Sequence, residues 1–156
     1  MPNSEKQVFQ ELQSLGINSY LPLMKKRRKW RNRTIESSVP LFSGYIFLQV
    51  NRLTYIQVLN IQGVIRFLTN NGKLCRVRES EITEVRRVER LNQQYQIERV
   101  SYFEKGNKVS ISNGPFSGFE GEIVERKGKY RLLVRLKSIR EAISIDVEEH
   151  ILKAIG

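Results

Sequence analysis

Apolar residues at the start of the chain recur at the spacing of an amphipathic helix. They repeat every three or four residues, and a glycine that permits a left-handed helix cap follows them: Val8, Phe9, Leu12, Leu15 and Gly16. Residues 17–24 (INSYLPLM) then predict a short strand. A basic run and the segment ESSVP come next, and together they predict a long hairpin loop.

The next segment, VPLFSGYIFLQV, alternates aliphatic with aromatic side chains instead of apolar with polar ones. We expect a strand over residues 41–50, in which successive side chains point to opposite faces. The face expected to pack under the helices is aliphatic and consists of Ile46, Leu48 and Val50. The opposite face carries Tyr45 and Phe47, so it stays available for another contact.

Two more helices are predicted downstream. Residues 53–61 form the first, with four apolar side chains expected to point inward: Leu53, Ile56, Val58 and Leu59. Gly63 ends it, residues 64–68 predict a strand, and Asn70-Asn71-Gly72 predicts a turn. Residues 79–96 form the second helix, which carries one apolar stripe: Ile82, Val85, Val88, Leu91 and Tyr95.

The C-terminal third changes to short β segments at residues 108–112, 119–126, 130–136 and 142–147. Between the first two, GPFSGFEG supplies turn residues (Gly114, Pro115), two aromatic residues (Phe116, Phe119) and a mid-strand glycine that predicts a bulge or tight curvature (Gly121). Such short, closely spaced strands predict a small barrel. The chain is therefore α+β, with a helix-and-strand domain at 1–96, a linker at 97–105 and an all-β domain at 106–156.

Positive charge is concentrated in the first two thirds of the chain. The formal net charge is +11, and residues 1–103 hold 17 Lys and Arg against 8 Asp and Glu. Seven of the nine residues in KKRRKWRNR (25–33) are basic. Because neutralising phosphates releases condensed counterions, such density predicts contact with nucleic acid. A solvated basic surface is the main alternative, and a membrane partner is not expected.

The residues needed for catalysis are scarce, so we expect a binding protein and not an enzyme. The chain has one histidine and one cysteine, which cannot supply a structural zinc site, and no metal or other cofactor is expected. No nucleophile-elbow or Walker-type sequence occurs. Cys75 cannot form an intrachain disulfide, and neither a signal peptide nor a transmembrane segment is predicted, which favours a reducing cytosol.

Two segments resemble known families. GNKVSISNGPFSGFEGEIVE (106–125) looks like a KOW motif, and EKQVFQELQSLGINSYLP, PLFSGYIFLQV and GVIRFL, in that order, resemble the N-terminal domain of the NusG family. The resemblance implies an NGN-type sandwich of an antiparallel sheet with helices, followed by a small SH3-like KOW β-barrel. The basic hairpin and the divergent C-terminal segment are more similar to the specialised RfaH-like and UpxY-like antiterminators.

The resemblance implies a factor for transcription elongation and antitermination in the bacterial cytosol. Its N-terminal domain would bind the clamp helices of the RNA polymerase β′ subunit through an apolar patch that matches Phe42, Tyr45 and Phe47. The alternative is that another part of this chain covers that face. The KOW loop (Gly114, Pro115, Phe116, Phe119 and Gly121) would contact a partner such as a small-subunit ribosomal protein. A ribosome-associated KOW protein that binds RNA is the alternative function.

The basic segment matches the position of a family hairpin that lies near upstream DNA and the nontemplate strand. The residues expected to contact DNA or RNA are Lys25, Lys26, Arg27, Arg28, Lys29, Trp30, Arg31 and Arg33, with Arg52 and Tyr55 as weaker candidates. Lysine and arginine would contact phosphates, which position a nucleic acid without reading its sequence. Trp30 would stack on an unpaired base or cover the hairpin.

One departure from the family pattern concerns the first strand, which usually carries a Trp-Tyr pair before the first helix. The sequence begins just past the corresponding position. Either the start of the sequence is assigned late or the domain lacks that strand. A domain without it would have an open sheet edge, so in that case we expect lower stability. The expected form is a monomer, with a strand-exchanged dimer as the alternative.

Overall fold

The computed structural model describes residues 4–91, 95, 97–100, 106–126, 128–147 and 152–154. The chain divides into two compact units, Met1–Arg76 and Val77–Gly156. The α3 helix, Glu79–Leu91, therefore groups with the second unit. The boundary at residue 96 stays a prediction.

Among its described residues, the first unit contains two helices and six strands. They are α1 (Ser4–Ser14), β1 (Ser19–Tyr20), β2 (Leu23–Trp30), β3 (Arg33–Pro40), β4 (Phe47–Leu48), α2 (Arg52–Leu59), β5 (Thr69–Asn70) and β6 (Lys73–Leu74). β1 pairs with β4, β2 with β3, and β5 with β6, all antiparallel. The fold is thus a mixture of helices and antiparallel strands, as predicted.

The first helix and its glycine cap confirm the prediction. Gly16 has φ of 69°, the left-handed conformation that glycine adopts at low cost. The Gly16 amide donates to the Gln13 carbonyl at 3.0 Å, and the Ile17 amide donates to the Leu12 carbonyl at 2.9 Å. These two bonds form a Schellman motif, which satisfies carbonyls at the helix end and brings Ile17 against Leu12.

The core of the first unit lies between the two helices and the short β1–β4 sheet. Its buried residues are Val8, Leu12, Ile17, Val58 and Ile61, with Ile46, Leu48, Val64 and Phe67 packed against them. Ile46 and Leu48 therefore point inward, as predicted. Val50 is exposed, so the prediction that it packs inward was wrong.

The strand predicted over residues 41–50 is only two residues long, Phe47–Leu48. A turn replaces its first half: Gly44 has φ of 84°, and the Tyr45 amide donates to the Phe42 carbonyl at 3.3 Å. Because this turn bends the chain, strand alternation fails before residue 45. The strand predicted at residues 64–68 is likewise absent, and β5 and β6 follow it around a turn in which Asn71 and Gly72 both have positive φ.

The second helix exists as predicted but with a different inward face. Asn51 caps it, with its side chain accepting from the Leu53 and Thr54 amides. Only Val58 of the predicted inward set is buried, while Leu53 and Ile56 are 81% and 64% exposed. An eight-residue helix offers little more than two turns, too few to fix its phase from apolar spacing.

In the part of the second unit that the structure describes, α3 is followed by six strands: β7 (Ile97–Val100), β8 (Asn107–Ile111), β9 (Glu120–Arg126), β10 (Lys129–Leu136), β11 (Glu141–Val147) and β12 (Leu152–Ala154). They form one antiparallel sheet in the order β12-β8-β9-β10-β11-β7. The five strands from β8 to β12 give the barrel-like sheet expected of an SH3-like domain. Residues 97–100, expected in the linker, instead pair with β11, and residues 101–105 lie outside the described part.

Gly121 lies within β9, and β10 approaches it so closely that a side chain would not fit. A Cβ at this position would lie 2.9 Å from the Leu132 Cδ1 atom and 3.0 Å from the Leu133 carbonyl oxygen. The second contact is with backbone, which cannot move without disturbing the β9–β10 pairing. The glycine is thus required by packing inside the sheet.

Among the described helices, none is both long and apolar enough to cross a membrane.

Candidate functional site

The basic segment forms a two-stranded ribbon, β2–β3, and not a loop. Its register runs from Leu23 opposite Pro40 to Trp30 opposite Arg33, with a two-residue turn at Arg31 and Asn32. Arg31 has φ of 52°, the left-handed region used in tight hairpin turns. Regular pairing therefore fixes the side-chain directions along the whole basic segment.

The first helix holds the base of this ribbon and the turn that follows it. The Lys6 Nζ atom donates to the Ser38 carbonyl at 2.6 Å. The Gly44 amide donates to the Glu5 carboxylate at 2.9 Å. Residues near the start of α1 thus position both the hairpin and the aromatic residues behind it.

Strand alternation gives the ribbon two different faces. The first, here called the Glu36 face, carries Lys25, Arg27, Lys29, Thr34, Glu36 and Ser38. The second, here called the Trp30 face, carries Lys26, Arg28, Trp30, Arg33, Ile35 and Ser37. All twelve residues are exposed. The predicted phosphate-contacting residues are therefore divided between two opposite surfaces.

Glu36 holds two of the cations on its own face. Its carboxylate lies 2.9 Å from the Lys25 Nζ atom and 3.3 Å from the Arg27 Nε atom. Hydrogen bonds from Lys25 and then Arg27 lower the pKa of the Glu36 carboxyl below its ordinary value. Glu36 is therefore ionised at neutral pH, and Lys25 and Arg27 are engaged within the hairpin.

The Trp30 face exposes apolar surface. Trp30 is 68% exposed and Ile35 is 50% exposed. They lie diagonally across the two strands, because Trp30 is paired with Arg33 and Ile35 with Arg28. Trp30 and Ile35 thus add exposed apolar surface to this face, and both roles considered for Trp30 stay predictions.

The two weaker nucleic-acid candidates lie apart from the hairpin, in α2. Arg52 is exposed at the first position of that helix. The Tyr55 ring is stacked on Phe67, with centroids 4.5 Å apart and an interplanar angle of 15°. Tyr55 therefore already contributes to packing within the first unit.

The three residues matched to the polymerase-facing patch differ in exposure. Phe42 is fully buried, whereas Tyr45 and Phe47 are half-buried. The expectation that all three lie on an exposed face was wrong for Phe42, whose side chain is in the core. The Phe47 ring lies 6.2 Å from Phe42 in an edge-to-face arrangement.

Tyr20 completes this group and was not identified from the sequence. Its ring stacks on Phe47 with centroids 6.1 Å apart, because Tyr20 and Phe47 are paired in the β1–β4 sheet. We call Tyr20, Phe42, Tyr45 and Phe47 the aromatic cluster. Only the pairing of Ser19–Tyr20 with Phe47–Leu48 reveals the contact, and no local pattern predicts that register.

The KOW-like loop uses its aromatic residues internally. Phe116 and Phe119 are buried and make an edge-to-face pair 6.2 Å apart, while Gly114 and Pro115 are exposed. Gly114 has φ of 78°. Its carbonyl accepts a hydrogen bond from the Ser117 amide at 3.0 Å, which closes the turn. A partner contact at this loop stays a prediction.

Two residues of α3 contact the loops that follow β8 and β10, and they were also not identified from sequence. The Arg87 guanidinium lies 4.3 Å from the Phe119 ring centroid and donates to the Pro115 and Ser117 carbonyls. Glu81 accepts from the Ser138 amide at 3.2 Å. Burial raises the pKa of Glu81, but hydrogen bonds from Ser138 and from the Arg78 amide outweigh it, so the net pKa is lowered.

Metal ligands do not converge in the described part of the chain, where no group of three His, Cys, Asp or Glu side chains could hold an ion. The hairpin and the aromatic cluster present cationic side chains and aromatic rings. These groups suit phosphates, base faces and apolar protein surfaces.

Comparison with known proteins gives two findings. A family model described as "Transcription termination factor nusG" matches residues 1–86. Two proteins called "Transcription termination/antitermination protein NusG", from Helicobacter pylori strains J99 and 26695, are each 27% identical over 108 residues. Each match covers 68% of this chain and 59% of the relative, so the chain spans somewhat more than half the length of these relatives.

Proposed function

The chain belongs to the NusG family, and from this premise we propose that it acts as a transcription termination or antitermination factor. The main support for the proposal is the family match over residues 1–86. This range includes both the hairpin and the aromatic cluster. The factor would bind RNA polymerase through the aromatic cluster and nucleic acid through the hairpin. Its action would be binding and not catalysis.

The exposed edges of the aromatic cluster support a protein contact. Tyr45 and Phe47 are half-buried, and Phe47 is held between Tyr20 and Phe42. Rigidly packed aromatic side chains lose little conformational freedom on binding and are common anchors of protein interfaces. We propose the clamp helices of the polymerase β′ subunit as the surface that they contact.

The hairpin supports a nucleic-acid contact next to that surface. It is an exposed ribbon with seven basic residues between Lys25 and Arg33, and its base is held by Lys6 of α1. A polymerase-bound factor with such a ribbon would lie close to the DNA or RNA that the enzyme holds. The phosphate contacts would add affinity that falls as salt rises.

Binding to core bacterial RNA polymerase tests the proposal. We expect Tyr45→Ala to lower the affinity of the full chain by about tenfold or more, the usual effect of losing an aromatic anchor. Phe47→Leu should have a smaller effect in the same direction. Leu53→Ala is the matched control, because it truncates an exposed apolar residue in the same unit that lies outside the cluster.

Failure of the unmodified chain to bind core polymerase in solution would contradict this function. So would Tyr45→Ala and Leu53→Ala proteins with equal, undiminished affinity. Co-sedimentation with ribosomal subunits at high salt would support the ribosome-associated alternative instead. Circular dichroism of each variant shows whether its fold is retained.

A further inference from the structure

We infer that the loop between β8 and β9 is a binding site for an arginine side chain. Arg87 of α3 fills this site in the structure. A partner protein that presents an exposed arginine would compete with Arg87 for the same groups. The site lies wholly within the second unit, so the inference goes beyond the proposed function, which uses the hairpin and the aromatic cluster of the first unit.

The loop holds two backbone carbonyls in a fixed position. Hydrogen bonds within the loop close it, because the Ser117 amide donates to the Gly114 carbonyl at 3.0 Å and the Ser117 hydroxyl donates to the Ser112 carbonyl at 3.1 Å. The carbonyls of Pro115 and Ser117 both accept from the Arg87 Nη2 atom, the first at 3.2 Å. Since internal bonds fix the turn, these two acceptors keep their spacing whether or not Arg87 is bound.

An aromatic ring forms the third side of the site. The Phe119 ring centroid lies 4.3 Å from the central carbon of the Arg87 guanidinium. Phe119 is buried, and an edge-to-face contact with Phe116 helps to fix its ring. A planar guanidinium can lie against a ring while the N–H groups at its edge reach carbonyls, which a lysine ammonium cannot match. The site therefore favours arginine over lysine.

The charge of the loop and its flanking strands also favours a cation. Residues 109–124 contain two acidic residues, Glu120 and Glu122, and no lysine or arginine, in a chain whose formal net charge is +11. Such a segment attracts a basic group and offers a phosphate no cation of its own. The ligand class is therefore a basic side chain of a protein and not a nucleic acid.

Contacts on either side of Arg87 bring α3 to the loop. Glu81, in the first turn of the helix, accepts from the Ser138 amide at 3.2 Å. Tyr95, just after the helix, places its ring edge-to-face with Phe116, with centroids 4.7 Å apart. These contacts hold the helix next to the loop, so Arg87 meets the site at a high effective concentration.

The site is open to the surface and is not a closed cavity. Arg87 is half-buried, whereas Pro115 and Ser117 are exposed. Contacts of a cation that solvent can reach are weak enough to exchange. An arginine on another protein can therefore reach the loop when Arg87 withdraws, and its binding would release the middle of α3 from the loop.

Titration with an isolated arginine side chain tests the site. The probe is N-acetylarginine N-methylamide, and the readout is the amide chemical shifts of Ser117, Gly118 and Phe119 in the isotope-labelled full chain. The Arg87→Ala protein should bind the probe at least about tenfold more tightly than the unmodified chain, because a site that Arg87 fills has a lower apparent affinity. Arg90→Ala is the matched control: Arg90 is exposed on the same helix, so this variant should bind as the unmodified chain does.

A lysine probe of the same charge tests the chemistry of recognition. N-acetyllysine N-methylamide should bind the Arg87→Ala protein at least about fivefold more weakly than the arginine probe does. Equal binding of the two probes would indicate a general cation site and overturn the assignment to arginine. Equal affinity of the Arg87→Ala and unmodified proteins for the arginine probe would overturn the role of Arg87. An absence of shifts at the three loop amides would overturn the site itself.

Arg87→Lys keeps the charge and the side-chain stem, so it serves where Arg87→Ala loosens the second unit. This variant should bind the arginine probe more tightly than the unmodified chain, because an ammonium fills the site less well than a guanidinium. Binding no tighter than that of the unmodified chain would contradict the preference for arginine. In the unmodified chain, a large excess of the probe should move the Arg87 Nε–H signal towards that of Arg90. An Arg87 signal that stays in place while the loop amides shift would show that the probe binds elsewhere, which would overturn the inference.

Discussion

Phe42→Ala is expected to destabilise the first unit by about 3–5 kcal/mol, the usual cost of truncating a buried phenylalanine. Phe42 is fully buried, and its ring packs edge-to-face with Phe47 at 6.2 Å. Truncation would leave a cavity beside Phe47 and loosen the aromatic cluster from within. The loss would be read from urea unfolding followed by far-ultraviolet circular dichroism.

Two matched variants make this prediction specific. Phe42→Leu retains most of the apolar volume and should cost about 1–2 kcal/mol. Leu53→Ala removes an apolar side chain that is 81% exposed and should change stability by less than about 0.5 kcal/mol. A Phe42→Ala protein that unfolds at the same urea concentration as the unmodified chain would show that Phe42 is not a core residue.

The predicted instability of Phe42→Ala makes this variant unsuitable as a test of polymerase binding. A loss of binding by Phe42→Ala would not distinguish a lost contact from a loosened unit. Tyr45 is half-buried and has no ring partner among the described aromatic pairs, so its truncation removes surface with less effect on packing. Tyr45→Ala is therefore the more informative variant.

In the second unit, the largest effect is expected from Arg131→Met, which should cost about 2–3 kcal/mol. The Arg131 side chain is 10% exposed and lies 2.9 Å from Asp146 and 2.5 Å from Glu98. The Glu98 carboxylate, followed by the charge of Asp146, raises the pKa of the Arg131 guanidinium against the opposing effect of burial. Removing Arg131 would leave the 21% exposed Asp146 carboxylate without this cation.

A double-mutant cycle distinguishes an uncompensated charge from lost packing. Arg131 and Asp146 are direct cross-strand partners in β10 and β11, so Arg131→Met with Asp146→Leu replaces the pair by apolar groups in the same register. This double variant should regain most of the stability lost in Arg131→Met, because a buried pair gives little net stabilisation over well-packed apolar residues. If the double variant is as unstable as the single one, the cost comes from packing.

Patterns that depend on neighbouring residues predicted the fold well. The α1 helix and its Gly16 cap follow from spacing and glycine conformation within a few residues. The strands of the second unit follow from strict alternation between turn residues, and β9, β10 and β11 lie close to their predicted positions. In both cases the information needed lies within about ten residues of sequence.

Features that depend on pairing between distant segments were not predictable in the same way. The contact of Tyr20 with Phe47 requires the β1–β4 register, and the division of the hairpin requires Arg27 to lie opposite Glu36. The phase of α2 was mistaken because Leu53 and Ile56 are apolar yet exposed, and nothing local marks them as such. The basic residues of the site were thus identified from sequence, but their grouping into faces was not.

The most direct test of the account is a single-round transcription assay with bacterial RNA polymerase on a template that contains a pause site and a terminator. We expect the full chain to change pause lifetime or terminator read-through, and the Tyr45→Ala protein to lose most of that effect. Leu53→Ala should behave as the unmodified chain does. Unchanged pausing and termination at a saturating concentration of the folded, unmodified chain would contradict the proposed role in transcription.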